Sequence, residues 1–121
     1  MGKINKVVST VWWNKENYHK LRALFSDSEF VYVPFYDKKT LEKEVTDADV
    51  AIIIGDVDNC LLGDNTLKWV QCDHAGLNGS ARPEVFAKGW TLGNFFVYHL
   101  FFPLLKSLRC NYFRSGQHCC P

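Results

Sequence analysis

The run "DADVAIIIGD", residues 47–56, constrains this chain more than any other stretch. Val50, Ala51, Ile52, Ile53 and Ile54 follow one another with no polar residue between them. A strand with one wet face alternates apolar and polar, whereas an unbroken β-branched run is what a strand covered on both faces requires. That condition is met inside a parallel sheet with helices on either side. The remaining sequence must therefore supply further strands and the helices that cover them.

It does so in alternation. "INKVVSTVW" is β-branched and apolar and reads as a first buried strand. Asn14 stands where a cap belongs before "KENYHKLRALF", in which Tyr18, Leu21, Leu24 and Phe25 form a helical apolar stripe. "SDS" breaks that helix, and "EFVYVPF" reads as the second strand. Asp37 precedes "KKTLEKEV", a short helix with its charges turned to water. After the strand-three run come an Asp-, Asn- and Gly-rich turn, a brief helical piece near "NTL", and strand four in "KWVQC". Ser80 and Pro83 mark the start of a helix in "RPEVFAK", Gly89 ends it, and "WTLG" is the fifth strand. Short strand–helix connections predict one parallel sheet with helices on both faces and residues 50–54 among its most buried.

Length and charge narrow the function classes. The 121 residues suit one domain. A net charge of +1 without a basic block gives no electrostatic case for nucleic acid. The longest apolar stretch, residues 95–105, is broken by Tyr98, His99 and Pro103 and is about half of a bilayer span, so no membrane segment is expected. The N-terminus shows no signal peptide, and five cysteines without regular spacing are not a disulfide framework. Both point to a reducing, cytoplasmic location. Cys110, His118, Cys119 and Cys120 match no standard zinc spacing, and no metal site is expected.

In parallel sheets of this kind ligands sit beyond the carboxyl ends of the strands. The loops there are "WNKEN", "PFYDK", "GDVDN", "DHAGLNG" and "NFF". In "DHAGLNG", Gly76 and Gly79 permit close backbone approach by a ligand. His74 reads either as a polar turn residue or as a ligand contact. Asp73 and Asp56 read as solvated loop or cap groups rather than catalytic carboxylates. Trp12, Trp13 and Trp69 read as core or interdomain packing, and no base is identified that would make Cys72 a nucleophile.

The run "LKWVQCDHAGLNGSARPEVFAKGWTLGN", with "DADVAIIIGD" upstream, resembles the N-terminal part of the D-isomer-specific 2-hydroxyacid dehydrogenases, over about residues 4–94. The resemblance implies a flavodoxin-like substrate domain over residues 1–94, followed by a divergent, irregular or helical tail over 95–121. It implies that the backbone amides of Ala75 and Gly76 hold a substrate carboxylate, a role a nest of N–H groups fills without a charged side chain. By the same carry-over Ile54, Gly55 and Asp56 wall the cleft. Asn78 stands where many members carry Asp, and His74 does not match the family's catalytic histidine, which lies later in the chain.

Family members use NAD to interconvert 2-oxoacids and 2-hydroxyacids. The sequence here contains no G-x-G-x-x-G and does not reach the family's catalytic Arg, Glu and His. The expectation is a truncated dehydrogenase-like chain, inactive alone, with no cofactor of its own and weak affinity for a small 2-oxoacid or 2-hydroxyacid carboxylate. A stand-alone carboxylate-binding or regulatory module is the alternative. A phosphoacceptor receiver domain ranks last, because strand one ends in Trp12-Trp13-Asn14 where receivers carry an acidic pair. The tail reads either as a remnant of an interdomain helix or as unrelated sequence. Its cluster of Phe95, Phe96, Phe101, Phe102, Leu104 and Leu105 predicts folding back over the sheet's end or self-association, a homodimer before a heteromeric partner.

Overall fold

The structure, a computed structural model, describes residues 4–72, 80 and 82–93. Five strands, β1 (Lys6–Ser9), β2 (Glu29–Tyr32), β3 (Val50–Ile53), β4 (Trp69–Cys72) and β5 (Thr91–Gly93), form one parallel sheet in the order β2-β1-β3-β4-β5. The connections carry α1 (Lys15–Leu24), α2 (Lys38–Val45) and α3 (Pro83–Phe86), and a 3-10 turn at Asn59–Leu61. The architecture is an α/β flavodoxin-like fold, as the alternating sequence requires.

The strand residues sort by parity into two cores. Val8, Ala51, Ile53, Val70 and Cys72 project to the side covered by Leu41 and Val45 of α2, Leu61 and Val85 of α3. Val7, Val50, Ile52 and Trp69 project to the other, where Leu21 and Phe25 close over them. The Phe25 and Trp69 rings lie 5.9 Å apart, tilted by 57°, within the range where aromatic pairs attract. Helices thus cover both faces, and β3 is sealed on each, which explains its unbroken apolar run.

Local signals set the helix boundaries. Asn14 Oδ1 accepts from Asn17 N at 2.8 Å and Asp37 Oδ1 from Thr40 N at 3.3 Å, each occupying an amide that has no partner within the helix. Pro83 opens α3, and Gly89, at φ +71°, ends the segment in the left-handed region that glycine adopts without strain.

Several expectations need correction. The helical turn falls at Asn59–Leu61, where Asp58 Oδ1 accepts from Cys60 N, and not near "NTL". Asn65 instead uses its side chain to tie off Leu61 O and Leu67 N before the chain enters β4. α3 spans one turn of the longer "RPEVFAK" segment. Strand three ends at Ile53, and Ile54 is 41% exposed at the carboxyl edge. Within the α1 stripe Tyr18 stays largely outside while Leu21 is fully buried; of the tryptophans read as core or interdomain packing, Trp13 and Trp69 are in the core and Trp12 is 72% exposed. The tail, residues 95–121, lies outside the described residues. No helix among those described is long and apolar enough to cross a membrane.

The amino edge of the sheet is held by charge. Lys6, on a central strand and nearly buried, donates to Glu44 Oε1 at 2.8 Å and Asp47 Oδ1 at 2.7 Å, tying β1 to the end of α2. Burial works to lower the Lys6 pKa, but the hydrogen bonds to Asp47 and Glu44 outweigh it and the net shift is upward. The hydrogen bond from Lys6 in turn lowers the Asp47 carboxyl below its ordinary value. A depressed carboxylate stabilises above its unfolded pKa and loses that contribution as pH falls through its folded value; a raised lysine stabilises until pH climbs past its folded value. The triad therefore holds across neutral pH and weakens at both extremes.

Two outcomes are expected from urea unfolding. Ile52→Ala, in a fully buried position, lowers stability by about 2–5 kcal/mol, and Ile54→Ala two residues on lowers it by less than about 1 kcal/mol; equal losses would contradict the burial described. Lys6→Met leaves two solvated carboxylates and shifts the midpoint little. The double change Glu44→Ala/Asp47→Ala strands a buried ammonium and destabilises more than Lys6→Met does, the difference shrinking in acid as the wild-type Asp47 carboxyl, held below its ordinary value by Lys6, takes up its proton.

Candidate functional site at the carboxyl edge

All five strands point the same way, so the segments after them meet at one edge. There a cavity of about 50 Å³ opens between the ends of β1 and β3 and the start of α2. Its apolar wall is Phe35, Leu41, Ile53, Ile54 and Leu61; its polar wall is Thr10, Lys38, Asp56 and Asp58. The volume admits a few heavy atoms, a carboxylate or a few waters.

The floor is fixed by backbone ties between strands. Thr10 N donates to Ile52 O at 2.8 Å, and Ile54 N donates to Thr10 Oγ1 at 2.9 Å. The chain then turns at Gly55, φ +74°, in the left-handed region. A Cβ there would meet no atom within 4 Å, so the requirement for glycine is conformational and not steric.

Asp56 and Val57 are clamped from the far side of β4. Ser80, fully buried, donates its hydroxyl proton to Asp56 Oδ1 at 3.1 Å and accepts from Val57 N at 2.8 Å. Cys72 Sγ lies 3.9 Å from Ser80 Oγ. With the one hydroxyl proton committed to Asp56, the thiol is the donor in that contact. Arg82 completes the clamp, Nη2 donating to Val57 O at 2.9 Å and Nη1 to Asn59 Oδ1 at 3.4 Å. Both backbone groups of Val57 are thereby taken by residues that follow β4.

Asp58 makes two bonds with its two oxygens. Oδ1 accepts from Cys60 N at 3.0 Å, and Oδ2 accepts from Lys38 Nζ at 2.7 Å. The Lys38 bond, followed by the Cys60 amide, holds its carboxyl below the usual range. Burial, reinforced by Asp58, pushes the Cys60 thiol up to about 11. At neutral pH that thiol is protonated and a poor nucleophile, and Cys72 is sealed in the core. Neither described thiol is therefore set up as a nucleophile.

Of the residues picked out in the sequence, Asp56 lines this cavity and Gly55 forms the turn beside it. His74, Ala75 and Gly76, with Asp73, Asn78 and Gly79, lie outside the described residues, as do Cys110, His118, Cys119 and Cys120. Among the described residues no group of three or more His, Cys, Asp or Glu side chains is placed to hold a metal ion. Thr10, Lys38 and Asp58 are not legible as site residues in the sequence, and Ser80 is legible only as a helix start. Thr10 sits inside a strand run and Lys38 inside a charged helix, so neither carries a local signal.

No family model matches the chain, and comparison with curated proteins and with solved structures returns no match.

Ser80→Ala tests the clamp. It removes a buried hydroxyl and leaves the Val57 amide unpaired, and stability is expected to fall by about 1–3 kcal/mol. Amide exchange at residues 55–58 should accelerate more than in the core of β3. Unchanged exchange there would mean that the clamp does not hold the loop.

Proposed function

We propose that the chain is a small-carboxylate-binding α/β module of the type that forms the substrate domain of D-isomer-specific 2-hydroxyacid dehydrogenases. The observation that carries this reading is the Ser80 clamp. It joins the two stretches that bear the resemblance, "DADVAIIIGD" and "LKWVQCDHAGLNGSARPEVFAKGWTLGN", at the carboxyl edge, beside a cavity sized for a carboxylate. The sheet order β2-β1-β3-β4-β5 supports it by putting the end of β3 next to the end of β4.

In this reading the ligand is a small 2-oxoacid or 2-hydroxyacid. The backbone amides of Ala75 and Gly76 hold its carboxylate, and Gly55 and Asp56 wall the cleft. His74 contributes from the same loop. The resemblance assigns hydride transfer to NAD bound by another domain, and the 121 residues contain no G-x-G-x-x-G to bind it. The module accordingly binds without turnover on its own. Its self-association through the apolar tail is part of the same proposal.

Titration of the labelled protein with pyruvate, followed by amide NMR, tests the reading. Shifts are expected at residues 54–58 and 73–79, with a dissociation constant of about a millimolar, as befits so small a ligand. NADH is expected to show no saturable fluorescence change. Absence of pyruvate shifts at both stretches would overturn the assignment.

A further inference from the structure

Among the described residues that line the cavity, Lys38 is the cation, and Asp56 and Asp58 are carboxylates. An entering anion therefore meets two like charges and one opposite charge, and that one is already engaged by Asp58 at 2.7 Å. Resting on the carboxylate-binding reading above, we infer that Lys38 is the ligand's counter-charge and that Asp58 is a built-in competitor for it. Binding is an exchange in which the ligand carboxylate takes Lys38 Nζ from Asp58 Oδ2.

Three features make the exchange feasible. The pair is half exposed on both sides, 49% for Lys38 and 42% for Asp58, so water screens it and little energy holds it closed. Asp58 is anchored independently, its other oxygen capping the 3-10 turn through Cys60 N, so it stays in place when Lys38 leaves. Lys38 is the first residue of α2, and its ammonium sits on a flexible four-carbon stem that can turn from one oxygen to another.

The other charges bearing on the pair act on this exchange in known directions. Asp56 is hydrogen-bonded by Ser80 and adds negative potential to the cavity. Together with Asp58 it makes the unliganded cavity a weak site for anions, and neutralising Asp58 strengthens it. Asparagine at this position keeps an oxygen for the Cys60 amide, so the turn is preserved while the competing charge is gone.

Pyruvate and acetate titrations of the full chain, wild type against Asp58→Asn, Lys38→Met and the double variant, test this at low and high salt. Asp58→Asn is expected to tighten binding of both anions about fivefold at low salt, the effect of a unit charge some 4 Å away in water. The gain should shrink in about 0.5 M salt. Lys38→Met is expected to lose binding, and the double variant to show no gain. If pyruvate shifts residues 73–79 with equal affinity in all four proteins, the Lys38 exchange is overturned while the carboxylate-binding reading stands. If Asp58→Asn tightens acetate and pyruvate alike through Lys38, and no protein shifts residues 73–79, the exchange stands and the dehydrogenase-type site falls. No binding by any of the four overturns both. Amide spectra retaining the β3 pattern establish that each variant is folded.

Discussion

Everything in this fold depends on β3 being paired on both edges and buried on both faces. Its backbone bonds to β1 on one side and β4 on the other, and its side chains enter two separate cores. A strand so placed has no solvent-facing side, and all four of its side chains are apolar and buried. Slipping its register by one would swap Val50 and Ile52 with Ala51 and Ile53 between cores of different shape. The helices take their places from this strand: α1 closes one core and α2 with α3 the other.

The two edges of the sheet are built from different physics. At the amino edge a buried lysine and its two carboxylates bind β1 to α2, and Asp49 accepts from the backbone of Asn5 and Lys6. At the carboxyl edge the ties run through the hydroxyls of Thr10 and Ser80 and the Arg82 guanidinium, and the ion pair between Lys38 and Asp58 is exposed. The amino edge spends its charges on holding the fold together. The carboxyl edge leaves a small cavity lined by Lys38, Asp56 and Asp58, with the Lys38–Asp58 pair open to solvent.

Aromatic exposure follows the same division. Trp12, Phe35, Tyr36 and Ile54, each following β1, β2 or β3, are exposed at the carboxyl side, while Trp13 and Trp69 are buried in the α1-side core. Trp13 Nε1 donates to Ser9 Oγ and Trp69 Nε1 to Gln71 Oε1, which satisfies both indoles without water. Adjacent tryptophans thus end in opposite environments because one falls inside the α1 packing and the other on the turn before it.

The alternation of strands and helices, the caps at Asn14 and Asp37 and the break at Gly89 follow from the sequence by itself, because each rests on a periodicity or a backbone preference confined to a few residues. The unbroken run 50–53 announces a doubly covered strand before any neighbour is known. What the tertiary structure decided is which residues face one another across the sheet. Ser80 reaches Asp56 over 24 positions, Thr10 reaches Ile54 over 44, and Lys38 reaches Asp58 over 20. None of these pairs has a local signature, since a hydroxyl in a strand or a lysine on a wet helix reads the same whether or not a partner waits opposite. The cavity exists because parallel strands bring the ends of distant segments to one edge, a consequence of chain topology that no window of sequence contains.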